Sequence, residues 1–313
     1  MFGTTRNNDA SCTKIALTCG LVCLLASCGD DGGTDPVDEG LPEIGFATPQ
    51  VITTAYKDSA DGVWEEQGPA DWSCLNTASD DVPTTVDVTL SGPLIDFQSD
   101  EPLPGAELSL YGDEGISSTP LATSIADEDG NYEIVLPTGG THWAFKIVAE
   151  EALDTYSLNQ YFEPDNATQM KELESISVLT AQALPAFINV TRTPGLGIVA
   201  GAIRDCNNNE VSGAIAAASS TTGSTTHIDG GVSYYFSALM TSLPVRHSQQ
   251  SMTNKDGRFV TIELPPGGVG HVQVFGFIDE ADLADGEPTL LATIESPIVA
   301  DTVVRLTMNP SRL

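Results

Sequence analysis

The strongest constraint on the fold of this chain is an internal repeat of short runs in which apolar and polar residues alternate. One copy occupies residues 88–149 and the other residues 199–277, and the same turn signals follow in the same order in both. Alternation with period two indicates strands with one buried face, and Gly, Pro and Asp between such runs indicate turns. The matched residues are Gly92 and Gly201, Asp96 and Asp205, Gly105-Ala106 and Gly213-Ala214, Asp129-Gly130 and Asp256-Gly257, Pro137 and Pro265, and Gly139 and Gly267.

This order of signals resembles the carboxypeptidase regulatory-like domain, in which Pro-x-x-Gly-Ala, Asp-Gly-x-Tyr/Phe and Pro-Gly follow a strand that ends in Asp. The resemblance implies a mainly β fold of two tandem transthyretin-like (prealbumin-like) antiparallel β-sandwiches. We place the first sandwich at residues 84–164 and the second at residues 198–313. The second copy departs from the family pattern by an insertion at residues 219–250.

The linker between the copies, residues 165–197, has a different period. Its apolar residues recur at helical spacing, which predicts one amphipathic helix that ends at Pro185, with Asp165 or Asn166 as its N-cap. The sequence FINV, residues 187–190, is predicted to form a short strand after it. The predicted helix face consists of Met170, Leu173, Ile176, Leu179 and Ala183.

The first residues have the composition of an export signal. Arg6 and Lys14 precede an apolar run, residues 15–26, that is too short to span a membrane. The run ends in LASC, residues 25–28, which resembles the bacterial lipobox. The resemblance implies cleavage of residues 1–27, a lipid anchor on Cys28, and a membrane as partner.

By similarity to enterobacterial sorting rules, Gly29 after Cys28 favours the outer membrane over the inner membrane of a bacterial envelope. The alternative is an ordinary signal peptide with a chance cysteine. Residues 28–50 are acidic and rich in Gly, so we expect an extended tether, and we expect an irregular segment at residues 51–83.

The charge balance limits the class of partner. The chain has 44 Asp and Glu against 12 Lys and Arg, a formal net charge of −32, which argues against nucleic-acid binding. Divalent cations fit this charge better, and two acidic stretches are candidates. Asp205, Asn207 and Asn209 alternate like the start of a calcium loop, but Glu210 stands where that loop needs Gly, so a polar turn is expected. Residues 279–287 are expected to form a solvated acidic loop.

Two cysteines remain outside the predicted signal and anchor. Cys74 and Cys206 are expected to form a disulfide in an oxidising compartment, the alternative being two separate small core residues.

No catalytic motif accompanies the four histidines, and the sequence predicts no catalytic residue, no metal ligand and no cofactor. His142 and His271 precede matching strands, which indicates a repeated turn role. A hydrolase that uses His227, Asp229 and His247 in the insertion is a remaining alternative.

Aromatic residues supply the last candidates. Trp64, Trp72, Tyr234 and Tyr235 could stack on sugar rings if their faces are exposed, and otherwise they fill the core. We therefore expect a non-catalytic structural, adhesion or binding module whose partner is a glycan or an envelope protein. The alternatives are a carbohydrate-binding module and the hydrolase above.

Overall fold

The computed structural model of the protein describes residues 48–57, 63–112, 116, 119–228, 230–237, 243–246 and 248–313. Cys28 and the predicted signal and tether lie outside these residues, apart from the last three residues of the tether. Within these ranges, no helix has both the length and the apolar character needed to cross a membrane.

The described chain is mainly β, which confirms the predicted fold class. The first half contains β1 (Thr53–Lys57), β2 (Trp64–Pro69), β3 (Val88–Asp96), β4 (Glu107–Tyr111), β5 (Ala122–Ile125), β6 (Asn131–Leu136), β7 (Trp143–Val148), β8 (Ala152–Gln160), β9 (Thr168–Met170) and β10 (Leu173–Ser177). The second half contains α1 (Val178–Phe187), β11 (Gly197–Ile203), β12 (Glu210–Ser212), β13 (Ile215–Ser219), β14 (Val232–Phe236), β15 (Pro244–Val245), β16 (Arg258–Leu264), β17 (Val269–Gly276), α2 (Glu280–Asp285), β18 (Thr289–Pro297) and β19 (Thr302–Met308).

The sequence repeat corresponds to a repeat in strand pairing. In the first copy β3 pairs antiparallel with β6 and parallel with β10, while β4 pairs with β7 and β7 with β8. In the second copy β11 pairs antiparallel with β16 and parallel with β19, while β13 pairs with β17 and β17 with β18. One apolar cluster lies within the first copy and includes Trp143 and Phe145. A second cluster includes Phe259 and Phe275 of the second copy, and it also contains four residues of the first copy, Tyr111, Ala144, Tyr156 and Leu158.

The matched glycines Gly92 and Gly201 occupy the same place in the two copies. A Cβ atom on Gly92 would lie 2.1 Å from the carbonyl oxygen of Lys171, and one on Gly201 would lie 2.5 Å from that of Leu306. Both oxygens belong to the chain that runs parallel beside the glycine's own strand. The repeated Gly therefore permits a close approach of two backbones that any side chain would prevent.

The matched aspartates also have a common role. Asp96 and Asp205 are buried, and each accepts hydrogen bonds from backbone N–H groups of the turn that follows its strand. Burial would raise the pKa of Asp96, but the N–H groups of Ser177, Ser99 and Gln98 outweigh it and lower that pKa.

The two sandwiches share a sheet, which the sequence did not predict. β8 of the first copy pairs parallel with β19 of the second, from Thr302 opposite Asp154 to Leu306 opposite Leu158. Main-chain hydrogen bonds therefore continue from one sandwich into the other.

Residues 51–83 are not an irregular segment throughout, contrary to the prediction. β1 pairs with β2 and with β12, and the fully buried Ile52 donates its N–H to the carbonyl oxygen of Phe277. This hairpin packs on the second sandwich although it precedes the first in the chain. The first sandwich is therefore inserted between two parts of the unit that contains the second.

The predicted helix at residues 165–185 is also wrong over its first half. Leu173 and Ile176 are buried in β10, and α1 begins only at Val178, with Ser177 as its N-cap. Met170 and Leu179 are 82% and 76% exposed, so the expected apolar face does not exist. The sequence FINV ends the helix and forms a turn instead of a strand.

Candidate functional site

A groove of about 470 Å³ lies on the outer face of the shared sheet, on the side away from the core of the second sandwich. Its floor is formed by β14, β16, β11, β19 and β8, which are neighbours in that order. Alternate residues of each strand face the groove because successive side chains of a strand point to opposite faces. On β11 the floor residues are Ile198, Ala200 and Ala202, followed by Arg204.

One half of the groove is apolar. Ile198 lies beside Val303 on the floor, and Ile262 and Ile176 also belong to this half. Helix α1 covers it with Ala181, Leu184, Pro185 and Ile188. Ala181 and Ile188 belong, with Ile176, Ile198, Ile262 and Val303, to a third apolar cluster that is separate from the cores of the two sandwiches. The covering helix is what turns a plain sheet surface into a concave site.

The other half of the groove is lined by charged side chains of both signs, and four of them are cations. Arg258 lies opposite Ala202, Arg305 lies opposite Ala200, and Arg204 follows β11 directly. Lys171, from the bend between β9 and β10, completes the set. Four of the chain's 12 Lys and Arg residues therefore line one groove in a protein with 44 Asp and Glu.

Two of these cations already have carboxylate partners. Arg305 pairs with Glu174, and Arg204 pairs with Glu210 at 3.3 Å and donates to Asn208 at 2.7 Å. The other acidic lining residues are Glu172 and Asp256, the latter almost fully buried.

The other two cations have no such partner. The side chains of Lys171 and Arg258 form no ion pair and no hydrogen bond with any described residue. The Arg258 guanidinium lies 5.4 Å from the centre of the Phe97 ring, a cation–π contact that leaves its N–H groups unused.

Burial and like charges depress the pKa values in this half of the groove. Burial lowers the pKa of Lys171, and the neighbouring Arg305 and Arg204 lower it further. Burial also lowers the pKa of Arg305, to about 10. Burial and the neighbouring arginines therefore disfavour the charged form of Lys171, and the Glu172 carboxylate opposes this effect in part.

The predicted disulfide is confirmed. Cys74 and Cys206 are bonded, with their Cα atoms 5.7 Å apart. The surrounding segment is held by the N–H of Asp71, which donates to the Asp205 carboxylate, and by the N–H of Cys206, which donates to the carbonyl oxygen of Asp71. The bond fastens the N-terminal hairpin segment to the second sandwich.

The four aromatic candidates are not brought together on an exposed surface. Tyr235 is 3% exposed, and its hydroxyl oxygen accepts the N–H of Ala216 inside the second core. Tyr234 is 8% exposed and contributes to the groove wall, as does the half-buried Trp64. Trp72 packs against the second core, and its indole nitrogen is buried with no hydrogen-bond partner among the described residues. Burial thus removes the sugar-stacking faces expected of Tyr234 and Tyr235.

The histidines do not share one role. His142 precedes β7 and lies 3.1 Å from the Asp81 carboxylate, whereas His271 lies inside β17 and contacts Thr222, so the expected common turn role is wrong. The ring of His227 accepts the N–H of Ala218. Asp229 and His247 lie outside the described residues, and the hydrolase arrangement stays a prediction.

Both acidic stretches have structural roles. Asp205 organises the polar turn expected of it. Residues 279–287 contain a short helix instead of the expected loop, and Asp279 caps it by accepting from the N–H groups of Ala281 and Asp282. In the part of the chain that the structure describes, no group of three or more His, Cys, Asp or Glu residues is placed to hold a metal ion.

The sequence analysis missed the groove because its residues come from both copies and the linker. The sequence nevertheless contained a signal for the groove, because Lys and Arg are scarce in this chain. Arg258 and Arg305 stand in strands whose outward positions are otherwise apolar or small, and charged residues seldom occupy such positions without a partner.

Comparisons with known proteins find the following. No protein-family model matches the chain, and no curated protein matches it. Among solved structures, the Bacillus anthracis TIE protein has 12% identity and a TM-score of 0.25 over 72% of this chain, which spans about a third (34%) of that protein.

The shaft pilin SpaA of Lactobacillus rhamnosus GG has 13% identity and a TM-score of 0.22, covering 73% of this chain and 98% of the pilin. The 3-chlorocatechol 1,2-dioxygenase of Rhodococcus opacus 1CP has 12% identity and a TM-score of 0.22, covering 40% of this chain and 72% of the enzyme. Because these TM-scores are so low, the fold of this protein is established by its own strand pairing and cores, and its function must be argued from its own residues.

Proposed function

We propose that this chain is a bacterial lipoprotein of the cell envelope, in which two carboxypeptidase regulatory-like domains form a non-catalytic structural, adhesion or binding module. The disulfide between Cys74 and Cys206 is the observation that carries this proposal. Such bonds persist in oxidising compartments and are rare in the cytosol. A chain with a signal-like start and a lipobox-like LASC sequence is exported to that kind of compartment.

A structural role is supported by the shared sheet. The pairing of β8 with β19 joins the sandwiches directly by main-chain hydrogen bonds. Sandwiches joined in this way keep a fixed orientation to each other. The acidic residues 28–50 repel one another and would hold the module away from the membrane surface.

Acylation of Cys28 is tested by growing an export-competent host with labelled palmitate. Wild type should incorporate the label, and Cys28→Ser should lose it because the thiol is the attachment atom. Cys23→Ser, which changes a cysteine inside the predicted signal, is the matched control and should keep the label. Label that persists in Cys28→Ser would contradict the anchor.

Fractionation of the same cells tests the location. We expect wild type in the outer membrane, and Gly29→Asp should move it to the inner membrane. Recovery of unacylated wild-type protein in the cytosol, with free thiols at Cys74 and Cys206, would contradict export altogether.

A further inference from the structure

We propose that the groove between α1 and the shared sheet is a binding site for an anionic amphiphile, a small molecule with a carboxylate or phosphate head and an apolar body. This inference goes beyond the proposed envelope role. It does not depend on the lipid anchor, because every residue that carries it belongs to the folded part of the chain.

The first observation is the direction of polarity along β11. From Ile198 to Arg204 the floor changes from apolar to cationic, over about 20 Å at 3.3 Å per residue. The flanking strands change in the same direction, from Ile262 to Arg258 on β16 and from Val303 towards Arg305 on β19. One molecule lying along the strands would therefore place its two ends in two different environments.

The second observation is the space at the centre of the groove. Ala200 and Ala202 are the floor residues there, and their small side chains leave the groove hollow between the larger residues on either side. A volume of about 470 Å³ lies within the range of roughly 300–1,000 Å³ typical of small-ligand sites. A single alkyl chain of about a dozen carbons with a compact head fits this volume.

The third observation is the availability of two cations. Lys171 and Arg258 offer N–H donors that no described residue uses, whereas Arg204 and Arg305 are held in place by Glu210 and Glu174. Because each paired arginine is neutralised by its carboxylate, Lys171 and Arg258 are the side chains that remain to donate to a bound oxyanion. Charge-assisted hydrogen bonds of this kind are about twice as strong as neutral ones.

The overall charge of the chain strengthens this argument. With a net charge of −32, a protein repels anions at most of its surface. Against that background, this groove brings together four of the chain's 12 Lys and Arg residues, and two of them have no carboxylate partner among the described residues.

The test uses the full chain as Cys28→Ser, so that no attached lipid competes for the groove. A fluorescent undecanoic acid is titrated first, and unlabelled dodecanoate and dodecyl phosphate then compete with it. Dodecanol tests the apolar body alone, and acetate and inorganic phosphate test the heads alone. We expect displacement by one or both of the anionic C12 compounds at concentrations at least tenfold lower than for dodecanol, and no displacement by the short anions. The tighter of the two anions identifies the head.

Two variants locate the site, and each carries the same N-terminus as its reference. The double variant Lys171→Gln, Arg258→Gln should weaken anion binding about 10- to 100-fold, since it removes two charged donors, and should leave dodecanol binding unchanged. Ala202→Leu should abolish binding of every C12 compound by filling the floor. Arg312→Gln removes an exposed cation outside the groove and should change nothing.

Three results would overturn the proposal. They are equal affinity for dodecanol and the anions, unchanged anion affinity in the double variant, and full binding by Ala202→Leu. Because every binding measurement is made on the Cys28→Ser protein, which carries no anchor, failure here leaves the palmitate result unaffected, and the two proposals can fail separately.

Discussion

β3 and β11 are the same strand of two copies of one fold, yet their outward faces differ. β3 presents Thr89, Ser91 and Pro93, three half-buried residues of mixed polarity. β11 presents Ile198, Ala200 and Ala202 at the corresponding places. The inward faces of both strands are apolar, because each strand packs against a buried apolar cluster.

The difference teaches that the repeat determines the core and leaves the outer surface free to vary. At the second copy, β14 extends the sheet and α1 covers its outer face, and the result is a third apolar cluster and a groove. Function is therefore to be sought where the copies differ, because the features they share are accounted for by the turns and the cores.

The difference between the copies with the largest expected effect on stability is the disulfide, which fastens only the second copy to the N-terminal hairpin segment. The double variant Cys74→Ser, Cys206→Ser should lose about 4–5 kcal/mol of unfolding free energy, as a bond across 132 residues restricts the unfolded chain. Urea denaturation measures the loss. Hydrogen exchange should show protection lost first in β1, β2 and β12.

Equal loss of protection in β4 and β7 would contradict that assignment. It would mean that the shared sheet makes the two copies one cooperative unit. In wild-type protein that is denatured without reductant, thiol titration should detect no free thiol at Cys74 or Cys206.

Substitution of the matched glycines, Gly92 and Gly201, tests the close backbone approach that the two copies have in common. Gly92→Ala and Gly201→Ala should each cost about 1–3 kcal/mol, because the added Cβ would overlap a carbonyl oxygen of the neighbouring backbone. Gly92→Ala should cost more, since its contact is the shorter. Gly268→Ala is the control, because a Cβ there would meet nothing within 4 Å. Thermal and urea unfolding would measure all three, and a cost for only one of the matched pair would break the equivalence of the copies.

These glycines also show how much could be predicted. Gly92, Asp96 and their partners in the second copy were visible because each solves a local backbone problem that only one or two residue types can solve. The disulfide was predictable because exclusion of the other cysteines left a single pair. The fold class followed from signals of this local kind.

The groove and the shared sheet were not predictable in the same way. Lys171 and Arg258 are far apart in the sequence. They line the same groove only because β8 pairs with β19 and α1 covers the sheet. The amphipathic helix prediction failed for a related reason. Leu173 and Ile176 fit a helical period over a short run, but pairing of β10 with β3 and β8 stabilises the strand instead.

The smallest effect is expected from Ala202→Leu, one residue away from Gly201 on the opposite face of β11. Its larger side chain enters the hollow groove instead of a packed core, so the free energy of unfolding should change by no more than about 0.5 kcal/mol. Urea denaturation of Ala202→Leu beside Gly201→Ala compares the two faces of one strand directly. A loss of 2 kcal/mol or more, about the cost of overpacking a filled core, would show that the groove closes in solution. A small loss would leave the variant folded, and its loss of amphiphile binding could then be attributed to the filled groove alone.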